Sequence, residues 1–497
     1  MGYITGADRD QITLLPESVD DYVAEDNAVR VIDAYVDSLQ LDVLGFSKVK
    51  PEETGRPPYA PQDLLKLYVY GYMNRVRSSR RLEAETKRNL EVIWLLKKLT
   101  PDHKTIATFR RENAAALKGV FRDFVKLCMG LGLYGRELAA IDGSKFKAVN
   151  STDRNFSVAE LNERIKRLTA RIDEYLRQMN ETDAAEEANS ERSADEIKQI
   201  LARLSTRKVK YEEYLEEMSA NEETQKSLND PDARLMKGAK GFDVSYNVQA
   251  SVDSKHKMIA EFEVTNDGND MQQLADMALA TAEILEAPDL TATADTGYNS
   301  ASEIARCIEN GITPQVIGSE GSFCVPCQPE QAQEITSHEN GRSVYIKERN
   351  IVLCPMGHVL RPMHYKNNGR MAIFYNYNAC QNCACRCTKT KYRQFGVRMK
   401  KAGFTKIHNA DNLFVKQIHI TPAPGITDRR KELAEHPFGT VKRAMDAGYC
   451  LTRGLPRVTG EFSLVFLAYN LKRALNILGP KALVEAIKVR NIGGCFA

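Results

Sequence analysis

The run ELAAIDGSKFKAV, residues 137–149, places one acid, Asp142, at the end of an apolar stretch that reads as a buried strand. A carboxylate there is costly to bury unless a cation meets it. Lys145 and Lys147 are the nearest cations in sequence; a metal ion would need further acids from elsewhere in the chain. Asp295, in TATADTGYNS, stands where another apolar strand gives way to a small glycine-containing turn, the place where open α/β sheets carry functional groups. Its ordinary role would be to cap the following helix, for which Asn299 and Ser300 are better placed. Two acids at neighbouring strand ends can share a divalent cation that neither would hold alone. A third candidate, Glu435, lies in DRRKELAEHPFGTVKRAMDAGY. Lys442 follows it by seven residues, which returns a helix to almost the same face, so a carboxylate and an ammonium would enter one site. Lys431, four residues before, competes as a surface partner for Glu435, and Glu432 is an alternative acid. Pro437 suits an early helical turn, whereas Gly439 weakens the helix there.

A second chemistry is written in cysteine. Seven of the 11 cysteines fall between Cys324 and Cys387, and with no secretory pattern at the N-terminus this clustering points to metal before disulfides. Cys380 and Cys383 form a Cys-x2-Cys knuckle that Cys354 and Cys387 would complete as a tetrahedral thiolate set for structural zinc. Cys385, His358, Cys324 and Cys327 are spare ligands.

The net charge is only +3, so contact with nucleic acid must come from local patches. RVRSSRR holds Arg75, Arg77, Arg80 and Arg81; Arg110 lies in TIATFRREN, and Arg429 and Arg430 precede Glu435. The stretch from Lys389 to Lys406 has seven Lys or Arg, among them Lys400 and Lys401, and no acid. A zinc-pinned loop carrying such a run would present cations to a phosphate backbone.

These groups need elements to position them. At 497 residues the chain calls for about three domains or one with large insertions. No apolar run approaches the roughly 18 residues of a membrane helix, so a soluble, cytoplasmic protein is expected. The first ~130 residues have helical spacing, and a helix-turn-helix DNA reader and a plain helical bundle would look alike there. Between Ser157 and Met218 two heptad segments, each opened by a capping box (Ser157 with Glu160, Ser193 with Glu196), read as an antiparallel hairpin acting as a spacer or dimerisation arm. GFDVSYNVQASVD alternates as a half-buried strand, KMIAEFEVT looks like its antiparallel partner, and DLTATADTGYNSASEIARCIENGITPQVIG reads strand, turn, helix, strand. That order makes a mixed sheet with helices on its faces.

Taken in order, GRPPYAPQDLLKLYVYGYMNRVRSSRRLE, AIDGSKFKA, DPDARLMKG, YNVQASVD, ADTGYNS and EHPFGTVKR resemble the successive blocks of bacterial DDE insertion-sequence transposases. The resemblance implies an α/β RNase H-like catalytic core. Asp142 and Asp295 would be its catalytic aspartates, Glu435 its closing glutamate, and Lys442 the lysine of a Tyr-Arg-Glu-Lys pattern; Lys431 stands where that pattern has Arg, and Asp428 where it has Tyr. It also implies two magnesium or manganese ions held by the three carboxylates, a cysteine-rich insertion, and a homodimer on paired DNA ends. The expected division is an N-terminal helical DNA-binding domain (1–133), catalytic core (134–156), inserted helical hairpin (157–228), core again (229–318), zinc-binding insertion (319–420) and C-terminal core helices (421–497). The expected activity is binding of terminal inverted repeats in double-stranded DNA, metal-dependent cleavage, and strand transfer to a target in the bacterial nucleoid. A degenerate DNA-binding repressor or architectural protein and a nuclease without strand transfer are the alternatives.

Overall fold

The computed structural model describes residues 18–50, 57–150, 154–184, 194–221, 223, 225–238, 241–366, 371–398, 413–421 and 423–493. Lys400, Lys401 and the capping Ser193 lie outside them.

Six helices open the chain: α1 (Ala28–Asp37), α2 (Pro61–Met73), α3 (Ser79–Arg88), α4 (Leu90–Leu95), α5 (His103–Glu112) and α6 (Ala114–Gly130). Pro61 starts α2 at a position whose N–H has no helical partner to lose. Asn27 and Asp102 cap α1 and α5 by accepting from backbone N–H groups of the first turn.

The central sheet starts with β1 (Leu138–Lys147). The chain then leaves it through β2 (Asn155–Ser157), runs out along α7 (Val158–Ala184), returns along α8 (Ala194–Ala220) and closes with β3 (Gln225–Ser227), antiparallel to β2. The heptad positions Leu161 and Leu168 meet Tyr211 and Met218 in a small core of their own. Next come β4 (Arg234–Gly238), β5 (Gly241–Asp253), β6 (Ile259–Thr265), α9 (Leu274–Leu285), β7 (Thr291–Ala294), α10 (Ala301–Glu309) and β8 (Thr313–Val316). β5 is antiparallel to β1, with Asp142 opposite Ala250, and β4 and β6 add antiparallel to the two ends of β5. On the other side β7 runs parallel to β1, and β8 parallel to β7. The result is a mixed α/β sheet with β1 at its centre.

After β9 (Gly321–Pro326) a second sheet forms from β10 (Val344–Ile346), β11 (Ile351–Leu353), β12 (Val359–Lys366), β13 (Met371–Tyr375) and, after α11 (Tyr377–Gln381), β14 (Phe395–Arg398), paired antiparallel in chain order. β15 (Val415–Ile420) returns to pair with β9. Three helices finish the fold: α12 (Ile426–Gly439), prolonged by a π turn over Thr440–Ala444, then α13 (Leu455–Leu478) and α14 (Pro480–Gly493). Gly439 therefore does not end the helix.

α13 is buried on nearly all sides because it wedges between the N-terminal helices and the sheet. Its Phe462 and Phe466 share one apolar core with Tyr68 and Phe121 of the helices and Val248 and Phe262 of the sheet. The close approach of α13 to α6 requires Gly460, where a Cβ would lie 2.7 Å from the Ala114 carbonyl oxygen.

Candidate active site

Alternation along β1 puts Leu138, Ala140, Asp142, Ser144 and Phe146 on one face. Helix α12 covers that face: Leu433 and Ala434 pack on Leu138 and Ala140, and the Phe438 ring lies 6.1 Å from that of Phe146. The π turn then aims Lys442 back at β1, where its Nζ donates to Ser144 Oγ at 2.6 Å and to the Lys145 carbonyl at 2.9 Å. The apolar contacts thus hold a functional helix over the strand that carries Asp142.

Asp295 arrives from the end of the neighbouring parallel strand β7. Its Oδ1 accepts from Gly297 N at 2.8 Å, capping a short 3-10 turn, while Ser300 makes no side-chain cap to α10. Asp295 caps only this 3-10 turn; the N-cap position of α10 falls to Ser300, as its place in the sequence suggests, and Asn299 is occupied by Arg342 and the Gly318 carbonyl.

Burial pushes the Asp142 carboxyl up to about 6; the nearby charges of Asp295 and Asp270 push the same way, against Arg430 and a hydrogen bond from Gly143 N. Lys442 is lowered by burial, partly offset by Asp142. Arg430, on the sheet-facing side of α12, is 7% exposed and reaches Asp295 at 3.8 Å, and its Nε and Nη1 have no hydrogen-bond partner. Glu435 is exposed on α12. Among the described residues no three His, Cys, Asp or Glu side chains are grouped to hold a metal ion. The structure brings Asp142, Asp295 and Lys442 into one site, and Glu435 is exposed on α12 without a contact to them.

Sequence reasoning missed Asp270. It sits in the irregular stretch after β6, where no periodicity marks it, and its Oδ1 accepts from Asn247 at 2.6 Å and Gln249 at 2.7 Å and pairs with Lys145 at 3.3 Å. Tyr298 holds the other end of the Gln249 amide. This bracket fills the space beside Gly143, where a Cβ would meet Asp270 Oδ1 at 2.8 Å.

The other nominated residues separate into several environments. Arg75, Arg80, Arg81 and Arg429 are exposed. Arg77 is buried, paired with Glu461 at 3.5 Å and stacked over Tyr449, so its charge is spent inside the fold. Arg110 is half-buried, donating to Tyr72 OH at 2.9 Å. Cys354 is buried after β11; burial, with the nearby Cys380 and Cys387 thiols, raises it to about 11. Cys383 packs with Cys385 against the same small core, and Cys324, raised to about 12 chiefly by burial, lies near Cys354.

Two families match this chain. Residues 17–112 match one described as "Transposase domain (DUF772)", and residues 353–475 one described as "Transposase DDE domain", a span that contains Glu435 and Lys442. No curated protein matches. A cryo-EM structure of a piggyBac transposase synaptic complex with hairpin DNA aligns over 94% of this chain and 80% of that one, at 6% identity and a TM-score of 0.26, a likeness too slight to carry weight. The two matched domains define the class: a DNA transposase, and so a polynucleotidyl-transfer enzyme. The second of these domains, over residues 353–475, is of the DDE type.

Proposed function

We propose that this chain is the transposase of a bacterial insertion sequence, that it binds the terminal inverted repeats of its own element as a homodimer, and that it cleaves and joins DNA at Asp142, Asp295 and Glu435. The observation that carries the reading is the meeting of Asp142 and Asp295, far apart in sequence, at adjacent strands of one sheet, close enough for each charge to act on the other. An RNase H-like core is supported by the arrangement of that sheet, an antiparallel β1–β5–β6 followed by parallel β7 and β8.

The donor set suits a hard divalent cation: burial raises the Asp142 carboxyl and the neighbouring Asp295 charge adds to the rise, so a cation between the two carboxylates would be welcome. Magnesium or manganese bound there would supply activation of water or a 3′-hydroxyl and neutralisation of the leaving oxygen in an in-line phosphodiester displacement. Asp142 and Asp295 would hold the metal, with Glu435 as the third carboxylate. Lys442, fixed on Ser144 and the Lys145 carbonyl, places a cation beside Asp142 for a phosphate. Arg430 keeps the two aspartates from facing each other uncompensated. No side chain is needed as a covalent nucleophile.

We assign a structural zinc to Cys354, Cys380, Cys383 and Cys387, supported by the closeness of Cys380 and Cys387 to the buried Cys354 thiol beside the second sheet. Among the described residues no helix is long and apolar enough to cross a membrane. Action on chromosomal DNA places the protein with the nucleoid in the cytoplasm.

The test is incubation of labelled element ends with Mg2+. Strand-transfer products that disappear in Asp142→Ala, Asp295→Ala and Glu435→Ala, with end binding retained, are expected. Hydrolysis of arbitrary DNA without joining would replace this reading with that of a nuclease.

A further inference from the structure

The helical hairpin has so far only a spacing role, yet its base carries an open groove of about 720 Å3 between β2, α7 and α8. Five cations line it, Arg154, Arg164, Arg203, Arg207 and Lys210, and among the described lining residues none is acidic. Arg154, Arg203, Arg207 and Lys210 are exposed. The floor is aromatic: Phe156 lies 5.6 Å from Tyr211 and 6.4 Å from Tyr214, ring centre to ring centre. Cations stand over these rings, Arg164 at 4.9 Å from Phe156, Arg207 at 5.7 Å from Tyr211 and Lys210 at 6.0 Å from Tyr214. Arg207 also donates to Tyr211 OH at 3.0 Å.

On α7, Arg167 is answered by Glu163 at 3.1 Å and Arg177 by Glu174 at 2.9 Å, each acid one turn away. Around the groove, among the described residues, only Arg164 has such a partner, Glu160. Arg203, Arg207 and Lys210 repeat on one side of α8 at spacings of four and three, which lays their charges along a line. The rings beneath hold Arg207 and Lys210 by cation–π contact without neutralising them. A row of uncompensated cations on a stiff aromatic floor matches a phosphodiester backbone, which offers regularly spaced anions and no demand for base-specific contacts.

We propose that the base of the inserted hairpin is a duplex-DNA backbone site, with Arg203, Arg207 and Lys210 as its phosphate contacts. The inference rests on the transposase reading, since DNA is the polyanion this chain works on. It turns the hairpin from a passive arm into a second grip on DNA, outside the carboxylate site.

The experiment compares the full-length protein with two triple variants of equal net charge. One is Arg203→Gln with Arg207→Gln and Lys210→Gln; the other removes Lys166, Arg167 and Arg171, exposed α7 cations that do not line the groove, also to Gln. Affinity for an arbitrary-sequence duplex is measured by fluorescence anisotropy across a salt series, with circular dichroism confirming that each variant is folded. Losing three phosphate contacts lowers the slope of log affinity against log salt by about 2 to 3. The groove variant should show that drop and the α7 variant should not. Equal slopes for wild type and groove variant, or an equal drop in both variants, would overturn the site while leaving the transposase reading intact. A wild-type protein without salt-dependent affinity for duplex DNA would overturn both.

Discussion

Replacing Asp142 with asparagine should make the protein more stable and abolish its chemistry. A carboxyl whose folded value is about 6 instead of 3.8 keeps its proton in the native state over a range where the unfolded chain has lost it. Native stability therefore falls as pH rises from about 4 to 6 and stays reduced above that. The rise of about two units corresponds to on the order of 3 kcal/mol, of which solvent access to a half-buried group leaves about 1 to 3. The asparagine amide would mimic the protonated acid and still accept from Gly143 N. In urea unfolding with a chelator present, Asp142→Asn should exceed wild type by that amount at pH 8 and match it near pH 4. Adding Mg2+ at 100 times its dissociation constant should restore about 2.7 kcal/mol to wild type and nothing to the variant. Equal stability of the two proteins at pH 8 without metal would refute the idea that Asp142 is held against its preference beside Asp295 and Asp270. The same linkage makes cation binding to wild type strengthen as pH climbs through about 6, which isothermal titration would follow.

Arg430→Met removes a buried cation that faces the aspartates. Its stability in chelator should fall by on the order of 3 kcal/mol, with partial recovery in Mg2+, as differential scanning calorimetry would show. Gly143→Ala drives a methyl into Asp270 and Gln249, so cleavage should drop steeply while end binding stays within a few-fold, and normal cleavage would show that the bracket around Asp270 is idle. Glu435→Ala should leave urea stability within about 0.5 kcal/mol, because the side chain is exposed, and remove strand transfer in the same preparation. Stripping zinc, or Cys380→Ser, should lower the melting temperature of the second sheet without changing Mg2+-dependent chemistry at temperatures where it remains folded; a purified chain with no zinc by metal analysis would contradict the thiolate site.

Local pattern in the sequence settles a good deal about this protein. Period-two alternation marks β5 and its partner β6, heptads mark α7 and α8, and acids at the ends of apolar runs single out Asp142 and Asp295. Each is a signal carried within a few residues, where the geometry of one strand or helix dictates which side chains share a face. The direction a helix presents to the rest of the chain is decided elsewhere. Packing of Leu433, Ala434 and Phe438 on β1 rotates α12 so that Arg430 faces the aspartates and Glu435 faces outward, although both appear in sequence as charges on one polar helix. In the same way α13 brings Glu461 to Arg77 and buries what looks like a surface cation. Asp270 enters the site from a stretch with no period at all, through contacts to Asn247 and Gln249 on β5. Burial and charge depend on neighbours supplied by distant segments, and only the assembled tertiary structure chooses those neighbours.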